Sequence, residues 1–265
     1  MKEIIRLKLK EIEEQKNVRI LFATDSGSRA WGFASSRSDY DVRFIYIHRP
    51  EWYLSIDPQG IGSKKDVIEC SIDGNLDIGG WELTKALRLF RKSNPTIFEW
   101  LRSEAFYIQN HDFVEKMRML EIDVLNPVPI AHHYFNLAKG NYKKYLIGNE
   151  LKIKICLYVV KSLLACHWIK RNNSFPPNRI QDLFIVVNDE KLKQEIKQLV
   201  KLKVLGNDIV CASDYQTTYE FIVTNIESVQ YFLSAQISPQ ANITSKLDQL
   251  FREVLINVWS DKPFK

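Results

Sequence analysis

Gly27-Ser28-Arg29-Ala30-Trp31-Gly32, followed by Ser38-Asp39-Tyr40-Asp41, is the stretch that decides the fold. The residues before it, Val18-Arg19-Ile20-Leu21-Phe22-Ala23-Thr24, are apolar and rich in strand formers, and those from Asp39 to Ile47 have the same character. The glycine-serine turn therefore lies between two strands. On an extended strand residues i and i+2 share a face, so Asp39 and Asp41 present their carboxylates to one place while Tyr40 turns away. Mg²⁺ prefers oxygen ligands at roughly 2.0–2.1 Å, drawn from a few carboxylates and substrate phosphates. Gly27 lets the backbone approach a phosphate closely, and the Ser28 hydroxyl with nearby amides can donate to its oxygens. Taken singly, a Gly-Ser pair is an ordinary turn and Asp-x-Asp a solvated cap. Their agreement on one geometry carries the reading of metal-dependent chemistry on a nucleotide.

Composition sets the outer limits. With 265 residues, 45% of them hydrophobic, the chain can bury a large core in one domain or two small ones, and two lobes are expected. There are 37 basic and 32 acidic residues, a net charge of +5 that permits a polyanionic partner without demanding one. Cys70, Cys156, Cys166 and Cys211 show no Cys-x-x-Cys spacing and stand among apolar residues, which predicts reduced core thiols rather than disulfides or zinc. Met1-Lys2-Glu3-Ile4-Ile5-Arg6 opens a charged amphipathic helix, and no run of about 18 apolar residues occurs, so a cytoplasmic protein without membrane contact is expected. No Ser-His-Asp or Cys-His arrangement stands out among the histidines.

Along the chain, Met1 to Lys16 has apolar residues at helical spacing and is expected to pack on the sheet. Asp66 to Ile72 and Asn75 to Ile78, separated by Asp73-Gly74, read as a β-hairpin. Trp81 to Arg91 reads as a helix with Leu83, Ala86, Leu87 and Phe90 on one face and Lys85, Arg88 and Arg91 on the other. Pro127-Val128-Pro129 is taken to end a first lobe, 1–128, built as a mixed sheet with helices on one side. A mainly helical lobe, 129–265, follows, with helices over Ile130 to Leu146, Asn149 to Arg171, Asp189 to Leu202, Glu220 to Phe232 and Thr244 to Val258. The fold class is thus α/β in the α+β sense.

The segments Gly27 to Asp41 and Ser38-Asp39-Tyr40-Asp41-Val42-Arg43-Phe44-Ile45-Tyr46 resemble the signature of the DNA polymerase β-like nucleotidyltransferase superfamily, a Gly-Ser turn followed by Asp-x-Asp on the next strand. More narrowly they are similar to a family of predicted bacterial nucleotidyltransferases called RNA-repair-associated or YcgL-like. Leu76-Asp77-Ile78-Gly79-Gly80-Trp81-Glu82, Asn94-Pro95, Phe98-Glu99-Trp100-Leu101 and Pro176-Pro177 follow the same family. The resemblance implies transfer of a nucleoside monophosphate from a nucleoside triphosphate to an acceptor hydroxyl, with Mg²⁺ or Mn²⁺ held by Asp39, Asp41 and a third carboxylate. Asp77, in the family's Leu-Asp-Ile position and on a strand predicted to lie beside Asp39 and Asp41, is preferred for that role. Glu69 is its rival, since a one-residue change of register flips every side chain. Gly27 and Ser28 would grip the outer phosphates, and Arg29 and Lys85 lead the cations that would neutralise them, ahead of Arg43 and Arg88. Lys154 and Lys161 match basic positions of the family, a Lys and an Arg seven apart, and so are expected toward the nucleotide. RNA is the favoured acceptor. A small molecule, a protein side chain and a non-catalytic binding role remain as alternatives.

Overall fold

The computed structural model describes residues 1–56, 66–72, 75–144, 146–147, 149–234 and 242–260. Helix α1 (Lys2–Lys16) buries Ile5, Leu9 and Ile12, and Asn17 ends it in the left-handed conformation, φ 51°. Strand β1 (Val18–Asp25), the single turn α2 (Gly27–Ala30) and strand β2 (Tyr40–His48) then carry the glycine-serine and Asp-x-Asp residues. Helix α3 (Pro50–Tyr53), strands β3 (Val67–Ile72) and β4 (Leu76–Glu82), helices α4 (Leu83–Arg91) and α5 (Pro95–Leu101), strand β5 (Phe106–Gln109) and helix α6 (His111–Val124) follow. The five strands form one mixed sheet in the order β3-β4-β2-β1-β5. β2 and β4 run parallel, and the other three pairs are antiparallel. β3 and β4 pair as the expected hairpin, while the Asp73-Gly74 turn lies outside the described residues.

Alternation along β2 divides the core. Val42, Phe44 and Tyr46 face α1 together with Ile5 and Leu9, and Ile45 and Ile47 face the opposite side. A register shift between Ile20 and Phe22 lets both Leu21 and Phe22 enter that second core while Ile20 and Ala23 stay with α1. Helices therefore cover both faces, not one, because the apolar stripe of α1 needs its own sheet face. Strand β4 also runs on to Glu82, so α4 starts at Leu83 rather than Trp81. The buried Glu82 carboxylate caps the helix by accepting from the Thr84 and Lys85 amides, and it accepts the Tyr53 hydroxyl at 2.6 Å.

The second half comprises α7 (Pro127–Tyr142), β6 (Leu146–Ile147), β7 (Glu150–Lys152), α8 (Ile153–Asn172), a 3₁₀ turn (Ile180–Val186), α9 (Glu190–Val204), β8 (Ile209–Cys211), α10 (Gln216–Ser234) and α11 (Thr244–Trp259). Pro127, expected as a terminator, opens α7 instead: Asn126 caps the Val128 amide, and prolines are tolerated in a first turn whose N–H groups have no intrahelical partner. The segment expected to begin a helix at Asn149 starts with β7, the middle strand of a small sheet β6-β7-β8. Cys156 and Cys166 are core thiols as expected. Cys211 is not, since it sits exposed on that small sheet. One hydrophobic core runs from Leu21 through α4–α8 to Val254 and so draws on both halves of the chain.

Gly80 stands opposite Phe44 in the parallel register, and a Cβ built on it would run into the Phe44 ring. Gly80→Ala should therefore destabilise the fold by about 1–3 kcal/mol, read as a lowered urea midpoint at unchanged m-value.

Candidate active site

The register of β2 and β4 places Asp77 directly beside Asp41. Asp41 receives the Ser26 amide on its carbonyl at 2.8 Å, which pins the glycine-serine turn against the start of β2. Gly27 has φ +61°, and a Cβ there would come within 2.5 Å of Asp41 Oδ2, so only glycine lets the turn close over this carboxylate. Burial pushes the Asp41 carboxyl above its ordinary value. Arg43 opposes that shift, while the negative charges of Asp77 and Asp39 add to it.

A pocket of about 340 Å³ opens at this place. Ser28, Ser35, Ser38, Asp39 and Asp41 line one wall, and Lys154 and Lys203 line the other. Lys154, in the first turn of α8, is exposed. Lys203, near the end of α9, has about nine-tenths of its side chain buried and donates to Asp208 at 2.8 Å. The loop between α2 and β2 is tied to the same helix end. Arg37 donates to the carbonyl of Gly206, a residue at φ +92° where a Cβ would stand 2.7 Å from the guanidinium. Tyr158 of α8 does not line the pocket, but it feels the Asp41 charge: its hydroxyl is pushed up to about 12 by burial first, then by the charges of Asp41 and Glu99.

The other expected residues divide. Arg29 is spent on the loop: Nε donates to the Asp39 carbonyl at 3.1 Å and Nη2 to that of Ser38 at 2.7 Å, while the guanidinium covers the Tyr40 ring. It shapes the motif. Lys85 does not reach the site. The parallel register puts the start of α4 at the far end of β4, five residues or roughly 17 Å beyond Asp77, where Lys85 pairs with Asp66 at 3.1 Å. Lys161 does not face the cleft either. It is fully buried under Trp31, with Nζ 3.9 Å from the ring and 2.8 Å from Glu99 Oε1, which also accepts the Tyr134 hydroxyl at 2.7 Å. Burial pushes this ammonium down, and Glu99 opposes the shift. Trp31 in turn packs edge-on against Tyr158 at 4.7 Å. Glu69, exposed, lies opposite Gly79 and shares the face of Asp77 without any slip, yet β4 separates it from β2.

Among the described residues, no three His, Cys, Asp or Glu side chains gather closely enough to hold a metal ion. Asp39 and Asp41 nonetheless fit one. They line the same pocket, the missing Cβ of Gly27 keeps Asp41 Oδ2 clear, and a cation there would oppose both the burial that chiefly raises the Asp41 carboxyl and the smaller repulsion from Asp77 and Asp39.

Residues 1–253 match the family described as the RNA repair pathway DNA polymerase beta family. The chain belongs to this family. It is 40% identical over 265 residues to YcgL of Bacillus subtilis, an uncharacterised protein, covering 98% of this chain and 99% of that one. A crystal structure of a nucleotidyltransferase-like protein from Exiguobacterium sibiricum aligns over 97% of this chain and 91% of its own, at 11% identity and a TM-score of 0.29. Membership places nucleotidyl transfer in view. Of the two lysines that line the pocket, sequence reasoning found only Lys154. Lys203 had no sequence signal, because it reaches the site only through the docking of α9, and Arg37, although it stands in the motif loop itself, was passed over because its partner, the Gly206 carbonyl, lies far away in the sequence.

The buried pair makes a direct test of how the motif loop is seated. Lys161→Met leaves the Glu99 carboxylate without its cation and should cost about 3–5 kcal/mol of unfolding free energy, whereas Lys161→Met with Glu99→Gln should recover most of the loss. Urea denaturation of the three proteins measures it.

Proposed function

We propose that this chain is a metal-dependent nucleotidyltransferase that moves a nucleoside monophosphate from a nucleoside triphosphate to an acceptor hydroxyl on RNA. The single observation that carries the reading is the pocket between Ser28, Asp39 and Asp41 on one wall and Lys154 and Lys203 on the other. Residues 1–128 act as the catalytic domain and 129–265 as a helical domain that completes the cleft. Asp39 and Asp41 would hold a divalent ion, whose contribution when bound would be to neutralise phosphate charge and polarise the phosphoryl group. Ser28 and the amides beside Gly27 bind the outer phosphates, and Lys154 and Lys203 neutralise them from the opposite side. The acceptor oxygen attacks the α-phosphorus, a P–O bond forms, and the α–β bridging P–O bond breaks. Pyrophosphate leaves with the electron pair. The hydroxyl proton passes to Asp77, the carboxylate one strand over from Asp41; Asp77 lies outside the pocket lining, on the acceptor side, and is accessible there beside its partner Arg43. The acceptor choice rests on the family description, which names RNA repair.

Labelled triphosphates offered with RNA, protein and small-molecule acceptors test this. Label should appear on RNA, and Asp39→Ala with Asp41→Ala should abolish both incorporation and metal-nucleotide binding by calorimetry while the circular dichroism spectrum stays unchanged. Label on protein or on a small molecule instead would replace the RNA assignment, and equal metal-nucleotide affinity in the double mutant would remove the site assignment.

Asp77 and Glu69 are separated by a second experiment. Asp77→Asn should lower turnover by about 10²-fold or more, the range a general base contributes, with triphosphate affinity retained. Glu69→Gln should leave both unchanged, and the reverse pattern would transfer the role to Glu69.

A further inference from the structure

Arg43 follows Asp41 by two residues on β2 and points to the same face of the sheet. Its guanidinium lies across Gly79, the residue opposite it on β4, where even a Cβ would stand only 3.5 Å from Nη1. From there it closes on Asp77. Nη2 meets Asp77 Oδ2 at 2.6 Å, and Nη1 donates to the Asp77 carbonyl at 3.2 Å and to the Val42 carbonyl at 3.0 Å. The same Nη2 stands 3.7 Å from Asp41 Oδ1. One guanidinium thus spans the two carboxylates that the register makes neighbours, which is where a second divalent ion would have to sit. Asp77, correspondingly, does not line the pocket shared by Asp39 and Asp41.

We propose that Arg43 is the resident cation of the acceptor side, so that the site loads one divalent ion, on Asp39 and Asp41, and Arg43 takes the place of the second. The inference rests on the nucleotidyltransferase reading of this site. Arginine does not lose its proton in proteins, so its charge is present at every working pH. Its fork fits a carboxylate and a carbonyl at once, and four contacts on three residues hold it in one orientation. A divalent ion entering between Asp41 and Asp77 would meet this fixed positive charge at contact distance and would have to break the 2.6 Å pair. The pair is half-exposed, with 26% and 52% of the two side chains accessible, so exclusion of the second ion depends on the charge of Arg43 more than on burial.

The number of bound Mn²⁺ ions tests this without any turnover. Mn²⁺ bound by the full chain is counted by electron paramagnetic resonance of the free ion, at saturating Mn²⁺, with and without a triphosphate analogue whose α–β bridge is a methylene. Equilibrium dialysis against the same Mn²⁺ and analogue solution supplies the background, so that an ion carried in by bound analogue is counted with the chain. Wild type should bind one ion per chain, Arg43→Met two, and Arg43→Met with Asp77→Asn one again, with thermal melts confirming that each variant folds. Two ions on wild type would overturn the proposal, as would one ion on a folded Arg43→Met. No ion on wild type even with the analogue would overturn the metal-dependent reading itself, a result distinct from either of these.

Discussion

The parallel, in-register pairing of β2 with β4 is the constraint on which the site depends. It sets Asp77 beside Asp41 and Gly79 beside Arg43, and it sends α4 to the opposite end of the sheet. A parallel pair needs a crossover rather than a tight turn, here the segment from α3 through β3, so its register is held by side-chain packing along the strands. Phe44 against Gly80 is one such lock, because the ring occupies the space that any Cβ at position 80 would need. The same pairing that brings two carboxylates together also brings the arginine that shares them.

A second layer of control comes from the helical half. Trp31 and Arg37 stand on the loop between the glycine-serine turn and Asp39, and each is fastened to a different helix. Trp31 rests on Tyr158 and over the Lys161 ammonium of α8, and Arg37 is bound to the last turn region after α9. A loop that short, held at two points, has little freedom left to move Asp39 away from Asp41. The Lys161–Glu99 pair is the costly element in this arrangement, since two charges are removed from water beneath the motif. Its partners compensate: Glu99 also accepts the Tyr134 hydroxyl, and Lys161 faces an aromatic ring as well as a carboxylate.

The electrostatic division of the pocket follows from these attachments. The sheet supplies carboxylates that repel one another, and α8 and α9 supply Lys154 and Lys203 across the gap. Lys203 is already paired with Asp208, so its charge is oriented before anything binds. Under the proposed reading, the facing walls would offer separate places to a polyanion and to the cation it carries.

The sequence by itself determined the strand–turn–strand unit from Val18 to His48 and the presence of Asp39, Asp41 and Ser28 in one place, because a period of two and a positive-φ glycine are local properties. It also determined most helices of the second half to within a few residues, and missed the small strands β6–β8, which are too short to leave a pattern. Only the tertiary structure decided which cations line the pocket. Lys85 and Lys161 carry the same charge as Lys154 and Lys203, and nothing in their local sequence separates them. The direction of β4 removed Lys85, the packing of α8 under Trp31 buried Lys161, and the docking of α9 against the motif loop brought in Lys203. Whether Asp77 or Glu69 stood next to Asp41 was likewise settled by strand order: both acids share a face, and β4 rather than β3 is the neighbour of β2.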